Sequence, residues 1–171
     1  MKRTRRNDRK VPGPESPWDE IVPGLWMGGQ YWTDALGELR PVVVDREFQL
    51  VVSLAPGMGF GPGPGVEHHA VELPDDLLTA DQLDKVMDLA LLVAAAQRAD
   101  RLILVRCHSG YNRSGLVIAQ ALVVLGYEPS AALSMVRRRR SPWALNNEYF
   151  VQYLDMGLDL ARELSALGEP A

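Results

Sequence analysis

The stretch LILVRCHSGYNRSGLVIA, Leu102 to Ala119, passes from one structural pattern to another through a polar corner. Leu102-Ile103-Leu104-Val105 is a short apolar run that reads as a buried strand, and Leu116-Val117-Ile118-Ala119 reads as the start of a buried helix. Between them lie the chain's only cysteine, Cys107, two glycines, and Arg113 followed by Ser114. A strand, a glycine-bearing loop and a helix form an anion-binding corner. The loop amides and the first free helix amides face one cavity, and the helix dipole adds positive potential. A cysteine at the start of that loop is placed for nucleophilic chemistry. An ordinary thiol titrates near ~8.5, and a helix N-terminus or a nearby cation lowers that value. Arg113 offers a planar fork that holds two oxygens of a phosphate. Gly110 permits backbone angles that a side chain resists, and Ser114 has a hydroxyl within reach of the sulfur. These parts describe attack of sulfur on a phosphorus atom cradled by amides and an arginine, giving a phosphocysteine that water then hydrolyses.

Outward from the corner, strands alternate with helices. Glu20–Gly29 predicts two short strands about a Pro23-Gly24 turn, and Val42–Val44 and Leu50–Leu54 predict strands. Pro56–Gly65, PGMGFGPGPG, is a loop, and Val66–Leu73 returns to a strand pattern. Thr79 and Gln82 fit a capping box for a helix over 79–99. In that helix Leu83, Val86, Met87, Ala90, Leu91 and Ala94 share a face. Ser114–Leu125 is a helix closed by Gly126, and Pro129–Arg138 and Asn146–Leu164 are two more. The expected fold is therefore a single-domain α/β layer with a central, mostly parallel sheet flanked by helices. Residues 1–17, basic and then Pro/Gly-rich, read as a disordered tail, and 18–171 as the catalytic domain.

Composition sets the outer limits. A chain of 171 residues with 47% hydrophobic residues buries one good core. Its net charge is −4, but the first ten residues hold six basic residues and one acidic, which leaves the remainder at −9. Such an arm is either a solvated tail or a contact for phosphate-rich polymers. One cysteine makes no internal disulfide and no multi-thiolate metal site, so a reducing compartment and no metal or cofactor are expected. The start lacks the apolar core of a signal peptide, and no uncharged apolar run spans a membrane. The expectation is a cytoplasmic protein with no membrane partner.

The C-x5-R-S pattern Cys107-His108-Ser109-Gly110-Tyr111-Asn112-Arg113-Ser114, set after a strand, resembles the signature of the cysteine-dependent protein tyrosine and dual-specificity phosphatases. EIVPGLWMGG resembles that family's opening hairpin and LNNEYFVQYL its closing helix, so the resemblance covers most of residues 20–160. It implies a dual-specificity-phosphatase-like fold, Cys107 as nucleophile, Arg113 and Ser114 as partners, and His108 through Asn112 as the phosphate-binding loop. It also implies a general acid on a loop about thirty residues earlier. Leu73-Pro74-Asp75-Asp76 lies there, with Asp75 favoured by the likeness of LPD to the family's W-P-D and Asp76 as the alternative. The family usually carries histidine before the cysteine. Here that residue is Arg106, on the opposite face of its strand, from where it reaches loop carbonyls from behind. Asn146 stands where the family often has a polar residue bracing the phosphate loop, and it reads equally as a helix N-cap. His68 and His69 read as structural. Arg137–Arg140 reads as either a solvated helix end or a basic rim. The implied substrate is a phosphorylated protein, phosphotyrosine first, with phosphoserine or phosphothreonine as the wider dual-specificity case. Gly110–Gly115 also resembles the G-[FY]-N-R-[ST]-G of the phosphatase-like domains in mRNA capping enzymes. An RNA 5′-triphosphatase is therefore the alternative, with a non-catalytic phosphopeptide-binding module behind it.

Overall fold

The computed structural model describes residues 11–57 and 60–170. Seven strands and five helices follow in chain order: β1 (Trp18–Val22), β2 (Leu25–Gly28), β3 (Tyr31–Thr33), β4 (Leu39–Pro41), β5 (Leu50–Ser53), β6 (Glu67–Ala70), α1 (Ala80–Arg98), β7 (Ile103–Arg106), α2 (Arg113–Val124), α3 (Pro129–Arg139), α4 (Glu148–Met156) and α5 (Leu158–Gly168). Five strands form one sheet in the order β1-β2-β7-β5-β6. β7 is parallel to both β2 and β5, β5 is parallel to β6, and only β1–β2 is antiparallel. The mostly parallel sheet expected from the alternation of elements is present. β5 and β7 are buried along their whole length, as strands covered on both faces must be.

The strand period of two sorts the core into halves. Leu50, Val52, Ile103 and Val105 point into a large cluster that holds the buried residues of all five helices. Their neighbours Val51 and Leu104 point the other way. There they join Val42, Val44 and Phe48, with Trp18, Trp26 and Trp32 packed at the edge, in a cluster without helical residues. Phe48 meets Trp18 edge-on at 5.2 Å between ring centroids.

The Thr79 capping box forms: Thr79 Oγ1 accepts from the Gln82 amide at 3.2 Å, and Gln82 Oε1 accepts from the Thr79 amide at 2.9 Å. On α1, Leu83, Val86, Ala90 and Ala94 face the core, whereas Leu91 lies on the outer face.

Three readings of the sequence change, and one hairpin is new. Val42–Val44 alternates as a strand would, Val42 and Val44 in and Val43 out, but makes only an isolated bridge from Val43 to Phe60. The β3–β4 hairpin has strands too short to announce themselves. The final helix is two helices, broken at Gly157 with φ +92°. The tail divides: residues 1–10 lie outside the described residues, while 11–17 are held by the body. Thr33 N donates to Pro14 O at 2.8 Å, and Tyr111 Oη donates to Pro12 O at 2.9 Å. No helix among the described residues is long and apolar enough to cross a membrane.

Candidate active site

The sheet's central strand delivers Cys107 to the corner before α2. Two glycines make the corner geometrically possible. Gly110 has φ +74°, and a Cβ there would lie 2.5 Å from the Gly28 carbonyl oxygen and 2.6 Å from Arg140 Nη2. A Cβ on Gly29 would lie 2.7 Å from the His108 carbonyl oxygen. The end of β2 therefore presses directly on the loop. Cys107 N donates to Gly28 O at 3.3 Å, and Gln30 N donates to His108 O at 2.7 Å.

The side chains of the corner meet in a small recess lined by Asp75, Cys107, Ser109, Tyr111, Asn112 and Arg113. Cys107 is buried, with its sulfur 3.3 Å from Ser114 Oγ. Arg113 is also buried. Its Nη1 donates to the Leu73 carbonyl at 3.2 Å, and its Nε–H has no partner among the described residues. A buried guanidinium N–H left open beside a thiol is a vacant donor for an anion. Burial pushes the Tyr111 hydroxyl above its ordinary pKa, so it stays protonated as the donor to Pro12. Tyr31 Oη lies 3.3 Å from Ser109 Oγ, and its ring meets His108 edge-on at 4.9 Å.

The 73–76 segment closes one wall. Asp75 is buried and accepts two hydrogen bonds, from Asn112 Nδ2 at 3.0 Å and from Asn147 Nδ2 at 2.9 Å. Asp76 does not line the recess. Its Oδ1 accepts from the Leu77 amide at 2.8 Å in the turn before α1. Asn146 and Asn147 divide the two duties considered for one residue. Asn146 Oδ1 accepts from Asn112 Nδ2 at 3.2 Å. Asn147 is the N-cap of α4, accepting from the Tyr149 amide at 3.0 Å, and its backbone N donates to Asn112 Oδ1 at 3.0 Å.

Two arginines take places other than those expected of them. Arg106 does reach loop carbonyls, but those of Phe60 and Gly61, at 3.1 and 2.7 Å, while its Nε donates to Ser53 Oγ at 2.9 Å. It holds Phe60 and Gly61 and makes none of these bonds to the 107–113 loop. Burial lowers its pKa from the ordinary guanidinium range. Its neighbour His68 bonds Ser53 Oγ at 2.9 Å. Arg140 is the residue that grips the 107–113 loop from outside, donating to the Ser109 and Gly110 carbonyls, both at 3.1 Å. Arg137 also turns inward, to the Ala144 and Leu145 carbonyls. The run 137–140 therefore divides: Arg137 and Arg140 are spent on backbone carbonyls, while Arg138 and Arg139 remain exposed at the helix end. Arg140 and Asn147 carry no distinguishing sequence mark: one hides in a run of four arginines, the other in a pair of asparagines. Among the described residues no group of three or more His, Cys, Asp or Glu is placed to hold a metal ion.

No family model matches the chain, and no curated protein matches it. Solved structures do. Human DUSP28 superposes with a TM-score of 0.67 at 23% identity, over 92% of this chain and 100% of that one. A mouse putative dual specificity phosphatase, complexed with zinc tungstate, gives 0.64 at 23% identity over 91% and 94%. OH1 from the Orf virus, described as a tyrosine phosphatase with triple substrate specificity, gives 0.59 at 17% identity over 85% and 90%. At these identities the likeness is one of fold.

Proposed function

We propose that this chain, which has the fold of the cysteine-dependent protein tyrosine and dual-specificity phosphatases, hydrolyses phosphomonoesters on proteins, phosphotyrosine first. The observation that carries the reading is the open Nε–H of buried Arg113 in the same recess as Cys107 and Asp75. Arg113 and the loop amides from His108 to Asn112 bind the phosphoryl oxygens and hold phosphorus over the sulfur. The Cys107 thiolate attacks, an S–P bond forms and the ester P–O bond breaks. Asp75 gives its proton to the leaving oxygen. Water then attacks phosphorus as Asp75 takes its proton, the S–P bond breaks, and inorganic phosphate and the thiolate are released. Ser114, 3.3 Å from the sulfur, donates a hydrogen bond to the departing thiolate. Asp75 rather than Asp76 takes the acid role because it lines the recess, and each of its oxygens keeps a second lone pair beyond the one used by Asn112 or Asn147.

The RNA 5′-triphosphatase reading keeps the Gly110–Gly115 likeness and the basic residues of the first ten in its favour. It loses half of the basic rim, since Arg137 and Arg140 face inward and only Arg138 and Arg139 stay exposed. The deciding experiment is a panel without added metal: a phosphotyrosine peptide, a phosphoserine peptide, γ-labelled triphosphate RNA and a soluble phosphoinositide. Turnover of the phosphotyrosine peptide is expected. Release of phosphate from RNA alone would replace the reading with the triphosphatase, and binding without turnover would replace it with the phosphopeptide-binding module. Cys107→Ser should abolish turnover of an aryl phosphate and leave binding of phosphate esters largely intact, because the sulfur makes the bond and Arg113 makes the site. Substantial residual turnover would refute the covalent mechanism.

A further inference from the structure

Arg140 takes no part in the chemistry above, yet it is the most heavily engaged side chain around the recess. Its side chain is 1% exposed. One edge of the guanidinium holds two consecutive loop carbonyls, Ser109 by Nη2 and Gly110 by Nε, both at 3.1 Å. The remaining nitrogen, Nη1, turns to the N-terminal segment. There it meets Ser16 O at 2.9 Å, Ser16 Oγ at 3.3 Å and Asp19 Oδ2 at 2.8 Å. Ser16 Oγ in turn donates to Asp19 at 2.6 Å. The same segment receives Tyr111 Oη at Pro12 O, so it also touches the loop directly. A loop can aim its amides inward only if its carbonyls diverge outward, where each needs a donor. Arg140 supplies those donors in one rigid plane.

We infer that Arg140 is a positioning residue that fixes the direction of the 108–112 amides, and that residues 12–19 are a strap that holds Arg140 in place. The inference rests on the proposed phosphatase reading for its catalytic consequence, but its structural consequence is independent of it. Without Arg140 the Ser109 and Gly110 carbonyls lose their common donor, and Gly110 loses the neighbour packed against its α-carbon. The loop then samples orientations in which its amides no longer converge. Asp19 and Ser16 act at one remove, by fixing the far edge of the guanidinium.

The test compares Arg140→Met, Arg140→Lys and Asp19→Asn with the parent protein by three measurements. These are amide hydrogen exchange of the 107–112 segment in the unliganded protein, competitive inhibition by inorganic phosphate, and kcat and KM for p-nitrophenyl phosphate. Arg140→Met should speed exchange across 107–112 and raise the phosphate inhibition constant, each by about tenfold or more, with kcat falling alongside. Arg140→Lys should recover part of each, since an ammonium reaches one carbonyl but not two at fixed angles. Asp19→Asn should move both in the same direction by less. If Arg140→Met lowers the melting temperature while exchange and phosphate inhibition stay within about twofold, Arg140 is a packing residue and the inference is overturned. If Arg140→Met does not fold, Asp19→Asn decides, and unchanged exchange and inhibition there overturn it. If the parent protein neither turns over the aryl phosphate nor binds phosphate, the phosphatase reading fails, and the exchange comparison still judges Arg140.

Discussion

At the scale of single residues, the two adjacent carboxylates give the sharpest contrast. Asp75 and Asp76 are adjacent, the likeness of LPD to W-P-D favours Asp75, and burial and partners separate them: one faces the recess, the other bonds the Leu77 amide. Asp75→Asn should lower kcat by roughly 10²–10⁴, the range of general acid catalysis, and Asp76→Asn far less. The loss should shrink for a leaving group acidic enough to depart unprotonated, which a damaged fold would not reproduce. A crippled Asp76→Asn beside a healthy Asp75→Asn would reverse the assignment. His68 makes a second residue-scale prediction, on stability. Its pKa lies below the ordinary value of 6.5, first because burial disfavours the imidazolium and then because Arg106 and His69 repel it. Above pH 6.5 the ring is neutral folded or unfolded and contributes no pH dependence. Below it the unfolded chain takes up a proton that the folded chain resists, so stability falls with acid as pH drops through the folded pKa. His68 as a residue remains partly open to water, so the effect is modest. Urea titrations from pH 8 to 5 should show His68→Gln losing less stability than the parent, and parallel losses would contradict the assignment.

At the scale of elements, most of what the sequence disclosed was periodic or chemically marked. β5 and β7 are runs of buried aliphatics, α1 has a capping box, and the corner has Cys107, Gly110 and Arg113 at fixed spacing. What escaped it depends on contacts between elements distant in the chain. Val42 and Val44 have strand-like alternation but no partner strand beyond one bridge to Phe60. Gly157 interrupts an apolar helical pattern that continues on both sides. Arg140 and Asn147 act on residues over thirty positions away, a relation no local window holds. Asn147 shows how an element end can carry two loads: its oxygen caps α4 and its nitrogen holds Asp75. Asn147→Ser keeps a good N-cap and loses the donor to Asp75. It should leave the melting temperature near that of the parent and cut kcat several-fold for substrates with poor leaving groups. Asn147→Ala should show the same kinetic loss plus about 1 kcal/mol of stability. Equal kinetics for all three proteins would mean that Asp75 needs no holding.

At the scale of the whole molecule, the recess is assembled from residues 12–19, 28–31, 73–75, 106–114 and 140–147, on both sides of the sheet's central strand. No one part is stable apart from the core that joins them, so activity and fold should be lost together. Urea midpoints from p-nitrophenyl phosphate turnover and from tryptophan fluorescence should coincide, and activity vanishing well before the fluorescence changes would show a site that melts on its own. The contact between Arg140 and Ser16 also has a meaning in time. These residues are 124 positions apart. During synthesis the strap is made first, Cys107 and its loop much later, and the brace that joins strap to loop later still. At ordinary elongation speeds Arg140 is added roughly two to seven seconds after Cys107. For most of that interval the nascent chain carries Cys107 and Arg113 at their spacing while the Ser109 and Gly110 carbonyls still lack their common donor. The late brace thus ties one of the first segments made to a much later one: a chain released before Arg140 carries the whole signature and lacks the residue that holds its loop carbonyls.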